Sequence, residues 1–125
     1  MNLPDDRKYC RSHEWIESGA EIARVGISDH AQEELSDIVY VEAPKAGRVV
    51  AAGEAVAVVE SVKSASDIYA PVAGEIAEVN AQLDPDPGLL NADPYGKGWI
   101  FKIAVANPEE MDGLLDAAAY RESLG

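Results

Sequence analysis

The sequence predicts a mainly β protein with a few short helices, folded as one compact barrel or sandwich. Brief runs of alternating or β-branched residues recur between glycines and prolines along most of the chain, a pattern typical of short strands joined by turns. Helical periodicity is confined to one short central segment and to the C-terminal tail. Because 125 residues are the size of one domain with a modest core, we expect residues 1–125 to form a single domain.

The first regular elements are predicted to be a hairpin and a short helix. The extended runs Glu14–Ile16 and Glu21–Ile27 flank a Ser-Gly turn signal, which favours two antiparallel strands. Ser28 then suits a helix N-cap, because its hydroxyl can accept a hydrogen bond from a backbone amide of the first turn. Ala31 and Leu35 fall on one face of the helix that would follow.

Four strand-like runs follow this helix and lead into a region rich in proline and glycine. The runs are DIVYVEAP, AVAVVES, SDIYAP and GEIAEVN, and glycines or prolines separate or end them. Residues 81–98 carry so many prolines and glycines that we expect a packed loop without a regular element. The run WIFKIAV then predicts a last strand.

A helical tail is predicted for residues 107–124. Asn107 suits the N-cap, Pro108 the first helical position, and Glu110 the capping position three residues after Asn107. The apolar residues that recur at helical spacing are expected to lie on the sheet, and they are Met111, Leu114, Leu115, Ala118 and Ala119. Gly113 can divide the segment into two short helices.

The charge balance excludes several classes of function. Acidic residues outnumber basic ones by 23 to 10, for a net charge of −13, whereas nucleic-acid backbones and anionic membranes require basic surfaces. Such a charge instead favours partners that carry basic patches. The chain has no apolar run long enough to span a membrane and no signal-peptide profile at its N-terminus, so we expect a cytoplasmic protein.

The sequence offers no convincing constellation for an independent enzyme or for a metal site. Cys10 is the sole cysteine and is expected to be a packing residue, because no base partner is visible beside it. His13 and His30 lack the H-x-x-x-H or clustered spacing of metal sites, so no metal is predicted. His13 is instead expected to hold local structure beside Trp15.

Lys63 is the residue that stands out chemically. The runs before and after it have strand character, and no proline or glycine interrupts the chain between Gly53 and Ala70. This places Lys63 at the tip of a hairpin over about residues 55–70, which is a position of display. Its small or hydroxylated neighbours leave room for an enzyme to surround the amine, so the sequence predicts a lysine suited to modification.

Four blocks of the chain stand out together, and in order they are CRSHEWIE, GISDHAQEELSDIVYVEAP, ESVKSASDIYAPVAGEIAEVN and NADPYGKGWIFKI. They resemble characteristic segments of the glycine cleavage system H protein family. The resemblance covers nearly the whole chain and implies a barrel-sandwich hybrid fold of the lipoyl/biotinyl-carrier type with a C-terminal helical tail. It implies that Lys63 carries lipoic acid in amide linkage and that Glu60 helps the attaching enzyme to recognise this lysine. It also implies that Ser12, Glu14 and Asp67 line the cleft in which the loaded arm rests.

The same resemblance implies a carrier function. The lipoyl arm would take the aminomethyl group of glycine from a pyridoxal-phosphate-dependent glycine decarboxylase and deliver it to a tetrahydrofolate-dependent aminomethyltransferase. Dihydrolipoyl dehydrogenase would then reoxidise the arm, and lipoate- or octanoate-attaching enzymes would load Lys63 in the first place. The chain itself would be a non-catalytic monomer that presents, docks and protects the arm.

Three other classes of protein also display a lysine at a hairpin tip. A biotin carrier normally flanks its lysine with methionines, where this chain has Val62 and Ser64. A lipoyl domain of a 2-oxo acid dehydrogenase usually has Asp-Lys-Ala at the tip and flexible linkers beside the domain. An H-like protein that acts only as a lipoyl donor or relay needs the same hairpin, so the sequence leaves this alternative open.

Overall fold

The computed structural model describes residues Met1–Gly125 and contains two antiparallel sheets. The nine strands are β1 (Arg7–Tyr9), β2 (Glu14–Glu17), β3 (Ile22–Ile27), β4 (Ile38–Glu42), β5 (Val49–Val50), β6 (Ala55–Ser61), β7 (Ala65–Tyr69), β8 (Gly74–Val79) and β9 (Phe101–Val105). One sheet has the order β1-β2-β3-β9-β8-β5 and the other the order β4-β6-β7. The predicted mainly β fold is confirmed.

The helices are short and few. They are α1 (Asp29–Leu35), α2 (Leu89–Ala92) and α3 (Ala117–Ser123), with single 3-10 segments at Ala81–Leu83 and Pro108–Gly113. None of them has the length and apolar character needed to cross a membrane. α1 begins where predicted, because the Ser28 hydroxyl accepts a hydrogen bond from the backbone amide of Ala31.

The first predicted hairpin is formed by β2 and β3. Trp15 of β2 pairs with Gly26 of β3, and the turn between the strands contains Gly19 with a φ of 74°, a conformation that favours glycine. A Cβ atom on Gly26 would come within 2.7 Å of the Trp15 indole. Glycine at this position therefore lets the indole lie directly against the neighbouring strand.

Residues from both sheets build the main core. Val25, Ile76 and Ile103 come from the six-stranded sheet, and Val59 and Ile68 come from the three-stranded sheet. All five are almost fully buried, and burying each such side chain contributes about 1.5–3 kcal/mol to the free energy of folding. The two sheets are therefore held face to face by apolar contact.

A second, smaller cluster ties the ends of the chain to β2. Its buried members are Leu3, Tyr9, Trp15, Tyr95 and Tyr120. The rings of Tyr9 and Tyr120 stack with their centroids 4.7 Å apart, so α3 is held against β1. Trp15 donates its indole N–H to the carbonyl of Pro94, which holds the loop before Tyr95 against β2.

The prediction that residues 81–98 lack any regular element was wrong. This stretch contains a 3-10 turn and the one-turn helix α2. Pro87 and Gly88 precede α2 instead of interrupting it, and Leu90 within the helix is fully buried. The Asn91 side chain accepts from the amide of Ile38, so a tertiary contact stabilises a helix too short to form alone.

The prediction that the tail forms two short helices is confirmed, but the prediction of which residues are buried is wrong in part. It divides at Gly113 into a 3-10 segment and α3, and Asn107 caps the first of these by accepting from the Glu109 amide. Ala118, which was expected on the buried face, is exposed, whereas Tyr120 is fully buried. The reason is that residues 114–116 are not helical, so α3 begins with a new phase.

Two short strands, β1 and β5, were not predicted. β1 has three residues and β5 has two, which is too short for an alternating pattern to be recognised. β1 pairs with β2, and β5 pairs with β8 through Val49 and Val50. The neighbouring strands supply the hydrogen-bond ladder that makes these residues extended.

Candidate functional site

The predicted lysine hairpin is formed by β6 and β7. Its tip is closed by a hydrogen bond of 2.8 Å from the Ser61 amide to the Ser64 carbonyl. The Ser61 hydroxyl also accepts from the amides of Lys63 and Ser64, each at 3.1 Å. The Val62 amide donates to the Asp37 carbonyl, which anchors the tip to the segment before β4. Because this backbone is held by hydrogen bonds, the tip presents Lys63 in a defined direction.

Lys63 itself is exposed at this tip. Its Nζ atom donates to the Glu34 carbonyl at 3.1 Å, near the C-terminal end of α1. The oxygen that accepts this bond belongs to a carbonyl of the last helical turn, where a positive charge is favourable. A single exposed contact of this kind contributes little, so the amine remains accessible to a modifying enzyme.

Glu60 is exposed on β6, three residues before Lys63. It pairs across the sheet with Tyr40 on one side and with Ala65 on the other. Its carboxylate takes part in none of the ion pairs of the structure. The carboxylate is therefore available to a partner that binds the hairpin.

Glu14 is fully buried. One carboxylate oxygen accepts from the Ser12 hydroxyl and the other accepts from the Tyr69 amide at 2.9 Å. Since Glu14 belongs to β2 and Tyr69 to β7, this carboxylate links the two sheets. Burial, together with the nearby charge of Glu14, raises the pKa of the Cys10 thiol, which disfavours a reactive thiolate there.

The structure separates Asp67 from Ser12. Asp67 is exposed and lines a groove with Glu42, Lys45 and Val58. Ser12 lines a different cleft, at the base of the lysine hairpin, together with residues of α1 and of β7. This hairpin-base cleft includes Ser12, His13, Ile27, Glu34, Ser66 and Ile68.

Strand geometry explains the separation. Successive side chains of a strand point to opposite faces, so Ser66 and Ile68 lie on one face of β7 and Asp67 on the other. Of the three residues expected in one resting cleft, only Ser12 lines the hairpin-base cleft. The buried Glu14 accepts a hydrogen bond from Ser12 on the interior side, and Asp67 lines a different groove.

Two histidines that lie far apart in the sequence are neighbours in the structure. The rings of His13 and His30 have centroids 4.9 Å apart, and one ligand atom each from His13, His30 and Glu34 lies within 4.8 Å of the others. His30 Nε2 contacts the carboxylate of Glu34 one helical turn later. Burial and the neighbouring His30 lower the pKa of His13, which favours its neutral imidazole.

The sequence spacing did not predict this cluster, because a tight turn at His13 brings its ring next to α1. His13 has a φ of 84°, and its carbonyl accepts from the amide of Ser28 at 2.9 Å. The His-x-x-x-Glu spacing of His30 and Glu34 on α1 was the one local signal that could have indicated a shared face.

Comparison with known proteins identifies the family. The family model described as "Glycine cleavage H-protein" matches residues 7–125. The chain belongs to this glycine cleavage H-protein family. The relatives include glycine cleavage system H proteins of Thermus thermophilus, 57% identical over 124 residues, and of Methylacidiphilum infernorum, 56% identical over 124 residues. Both alignments cover 99% of this chain and 97% of the relative.

A solved structure of a glycine cleavage system H protein from Mycobacterium marinum is similar over nearly its whole length. The TM-score is 0.91 at 40% sequence identity, and the match covers 98% of this chain and 99% of the other. The resemblance stated from the four sequence blocks is therefore confirmed. The two-sheet H-protein fold places the β6–β7 hairpin, with Lys63 at its tip, at the surface.

Proposed function

We propose that this chain carries the aminomethyl group of glycine on a lipoyl arm attached to Lys63. Membership of the H-protein family supports the carrier role in glycine cleavage. The observation that carries the attachment site is the exposed amine of Lys63 at a hairpin tip whose backbone is held by Ser61. A primary amine in the open, next to small residues, fits amide formation with the carboxyl group of lipoic acid.

The chain's own residues would present the lipoyl group to the partner enzymes and would not catalyse a reaction themselves. When attached, the lipoyl group supplies the dithiolane that accepts and releases the one-carbon unit. The hairpin presents that group, and the lysine stem with the lipoyl chain spans more than about 10 Å, enough to enter a partner's active site. Burial raises the pKa of the Cys10 thiol and disfavours a thiolate nucleophile there, which fits a carrier that performs no chemistry of its own.

The partners follow from the reaction sequence. They are a pyridoxal-phosphate-dependent glycine decarboxylase, a tetrahydrofolate-dependent aminomethyltransferase, dihydrolipoyl dehydrogenase and a lipoate- or octanoate-attaching enzyme, all in the cytoplasm. The net charge of −13 supports electrostatically steered docking of a monomer onto basic surfaces around these active sites. Glu60, exposed on β6, would help the attaching enzyme to orient the hairpin.

The arm is proposed to rest in the hairpin-base cleft. Lys63 Nζ already contacts the carbonyl of Glu34, a residue that lines this cleft. The Ser12 hydroxyl would face the arm, while Glu14 would act through Ser12 as a positioning residue. An aminomethyl nitrogen carries a positive charge when protonated, so the Glu34 side chain offers a suitable partner.

Lipoylation of Lys63 is tested by co-expression with a lipoate-attaching enzyme and lipoate. We expect intact mass to increase by one lipoyl group and native gels to show one additional negative charge, because the amide removes an ammonium. Lys63→Arg should stay unmodified, whereas Lys45→Arg and Lys97→Arg should be modified like the parent. A Lys63→Arg protein that still gains the lipoyl mass would contradict the assignment.

The carrier role is tested separately with the modified protein. Mixed with cognate decarboxylase and pyridoxal phosphate, it should support exchange of carboxyl-labelled glycine with bicarbonate, and added salt should slow this exchange. Full lipoylation without any exchange would instead support a chain that acts only as a lipoyl donor.

A further inference from the structure

His13, His30 and Glu34 form a compact set of metal-ligating side chains. Two imidazoles and one carboxylate bring one ligand atom each within 4.8 Å of one another. His30 and Glu34 are one turn apart on α1, and His13 approaches them from the turn before β2. Both histidines are half-buried, so their positions are defined by the surrounding fold.

A hydrogen-bond chain orients the His13 ring. Its Nδ1 atom lies 2.7 Å from the Tyr120 hydroxyl, which lies 2.7 Å from the Ser28 hydroxyl. In the tautomer in which Nδ1 donates to Tyr120, Nε2 carries the lone pair that a metal requires. Outer hydrogen bonds of this kind are the usual means by which proteins orient metal-binding histidines.

We propose that His13, His30 and Glu34 bind one divalent transition-metal ion of the zinc class. Two imidazole nitrogens and one carboxylate form a ligand set that suits Zn²⁺ and leaves a further coordination position open. The Glu34 carboxylate is in direct contact with His30 Nε2, so these two atoms must separate and the His13 nitrogen must approach before an ion with bonds of about 2.0–2.2 Å can lie between them. Rotation of the exposed Glu34 side chain suits this adjustment.

The site is not part of the lipoyl attachment itself, although it adjoins it. His13 and Glu34 both line the hairpin-base cleft, so an open coordination position would lie next to that cleft. The Lys63 ammonium contacts the backbone carbonyl of Glu34 and not its side chain. Because the ligands are protein side chains alone, the metal site can be tested on unmodified protein, and its failure would leave the assignment of Lys63 untouched.

The experiment is calorimetric titration of the metal-free full-length chain with Zn²⁺, followed by Co²⁺ absorption spectroscopy. We expect one Zn²⁺ per chain and a visible Co²⁺ spectrum typical of low coordination number. His30→Gln and Glu34→Gln each remove a ligand at the surface of α1 and should abolish the spectrum. Tyr120→Phe keeps the buried ring but loses the hydroxyl, and it should weaken binding about 10- to 100-fold.

Glu33→Gln is the matched control. Glu33 is the exposed neighbour of Glu34 on α1, so its substitution removes the same charge without removing a ligand. The control should bind Zn²⁺ like the parent and keep the Co²⁺ spectrum. The proposal is overturned if the parent shows no stoichiometric binding, or if Glu33→Gln loses as much affinity as Glu34→Gln, which would indicate general attraction to an acidic surface. Thermal melts of each variant confirm that the compared proteins are folded.

Discussion

Replacing Glu14 with alanine should destabilise the fold, because its carboxylate joins the two sheets from a fully buried position. The substitution removes two hydrogen bonds, one from the Ser12 hydroxyl and one from the Tyr69 amide. Water can replace the first bond because Ser12 is exposed. The second bond crosses between the sheets, from the Tyr69 amide of β7 to the Glu14 carboxylate of β2.

The magnitude follows from these two bonds. A hydrogen bond to a charged group contributes about 1.5–3 kcal/mol, and the exposed Ser12 bond adds less than about 1 kcal/mol. We therefore expect the free energy of unfolding to fall by about 2–4 kcal/mol, and the midpoint of thermal unfolding by about 8–16 °C for a chain of this size. Glu14→Gln keeps an acceptor for Tyr69 and should lose only about 1 kcal/mol.

The assay is urea unfolding of the unmodified chain, with amide hydrogen exchange at Tyr69 as the local probe. Glu14→Ala should speed exchange at Tyr69 more than Glu14→Gln does, and Ser12→Ala should leave this amide close to the parent rate. A Glu14→Ala protein within about 0.5 kcal/mol of the parent would refute the structural role. Such a result would instead favour the role that the family resemblance implied, in which the Glu14 carboxylate lines the resting cleft of the lipoyl arm.

Two further predictions concern the arm. Glu60→Gln should slow enzymatic lipoylation of Lys63 severalfold without changing thermal stability, because the Glu60 carboxylate is exposed on the lysine hairpin. Glu42→Gln on the neighbouring strand is the control. Equal lipoylation rates for the two variants would rule out a recognition role for Glu60. Ser12→Ala, lipoylated and loaded with methylamine, should release formaldehyde faster than the parent. Asp67→Asn should match the parent, and the reverse order would place the resting arm on the other face of β7.

Much of the local structure could be predicted because its causes are local. The alternation of apolar residues and the turn signals predicted the β2–β3 hairpin, the strand runs and the tip at Lys63. A side-chain cap at Ser28 and another at Asn107 lie within three residues of the amides they satisfy. Where local signals conflicted, as in residues 81–98, burial of Leu90 decided in favour of a helix.

The sequence by itself determined the longer strands, the exposed lysine hairpin and the acidic character of the chain, because these depend on neighbouring residues or on composition. Only the tertiary structure decided that Glu14 is buried, that Asp67 lies apart from Ser12, and that His13 meets His30 and Glu34. The physical reason is sequence distance. The bond from Tyr69 to Glu14 joins residues 55 apart, and that between Tyr120 and His13 joins residues 107 apart. Such contacts arise from sheet pairing and core packing, which no local pattern specifies.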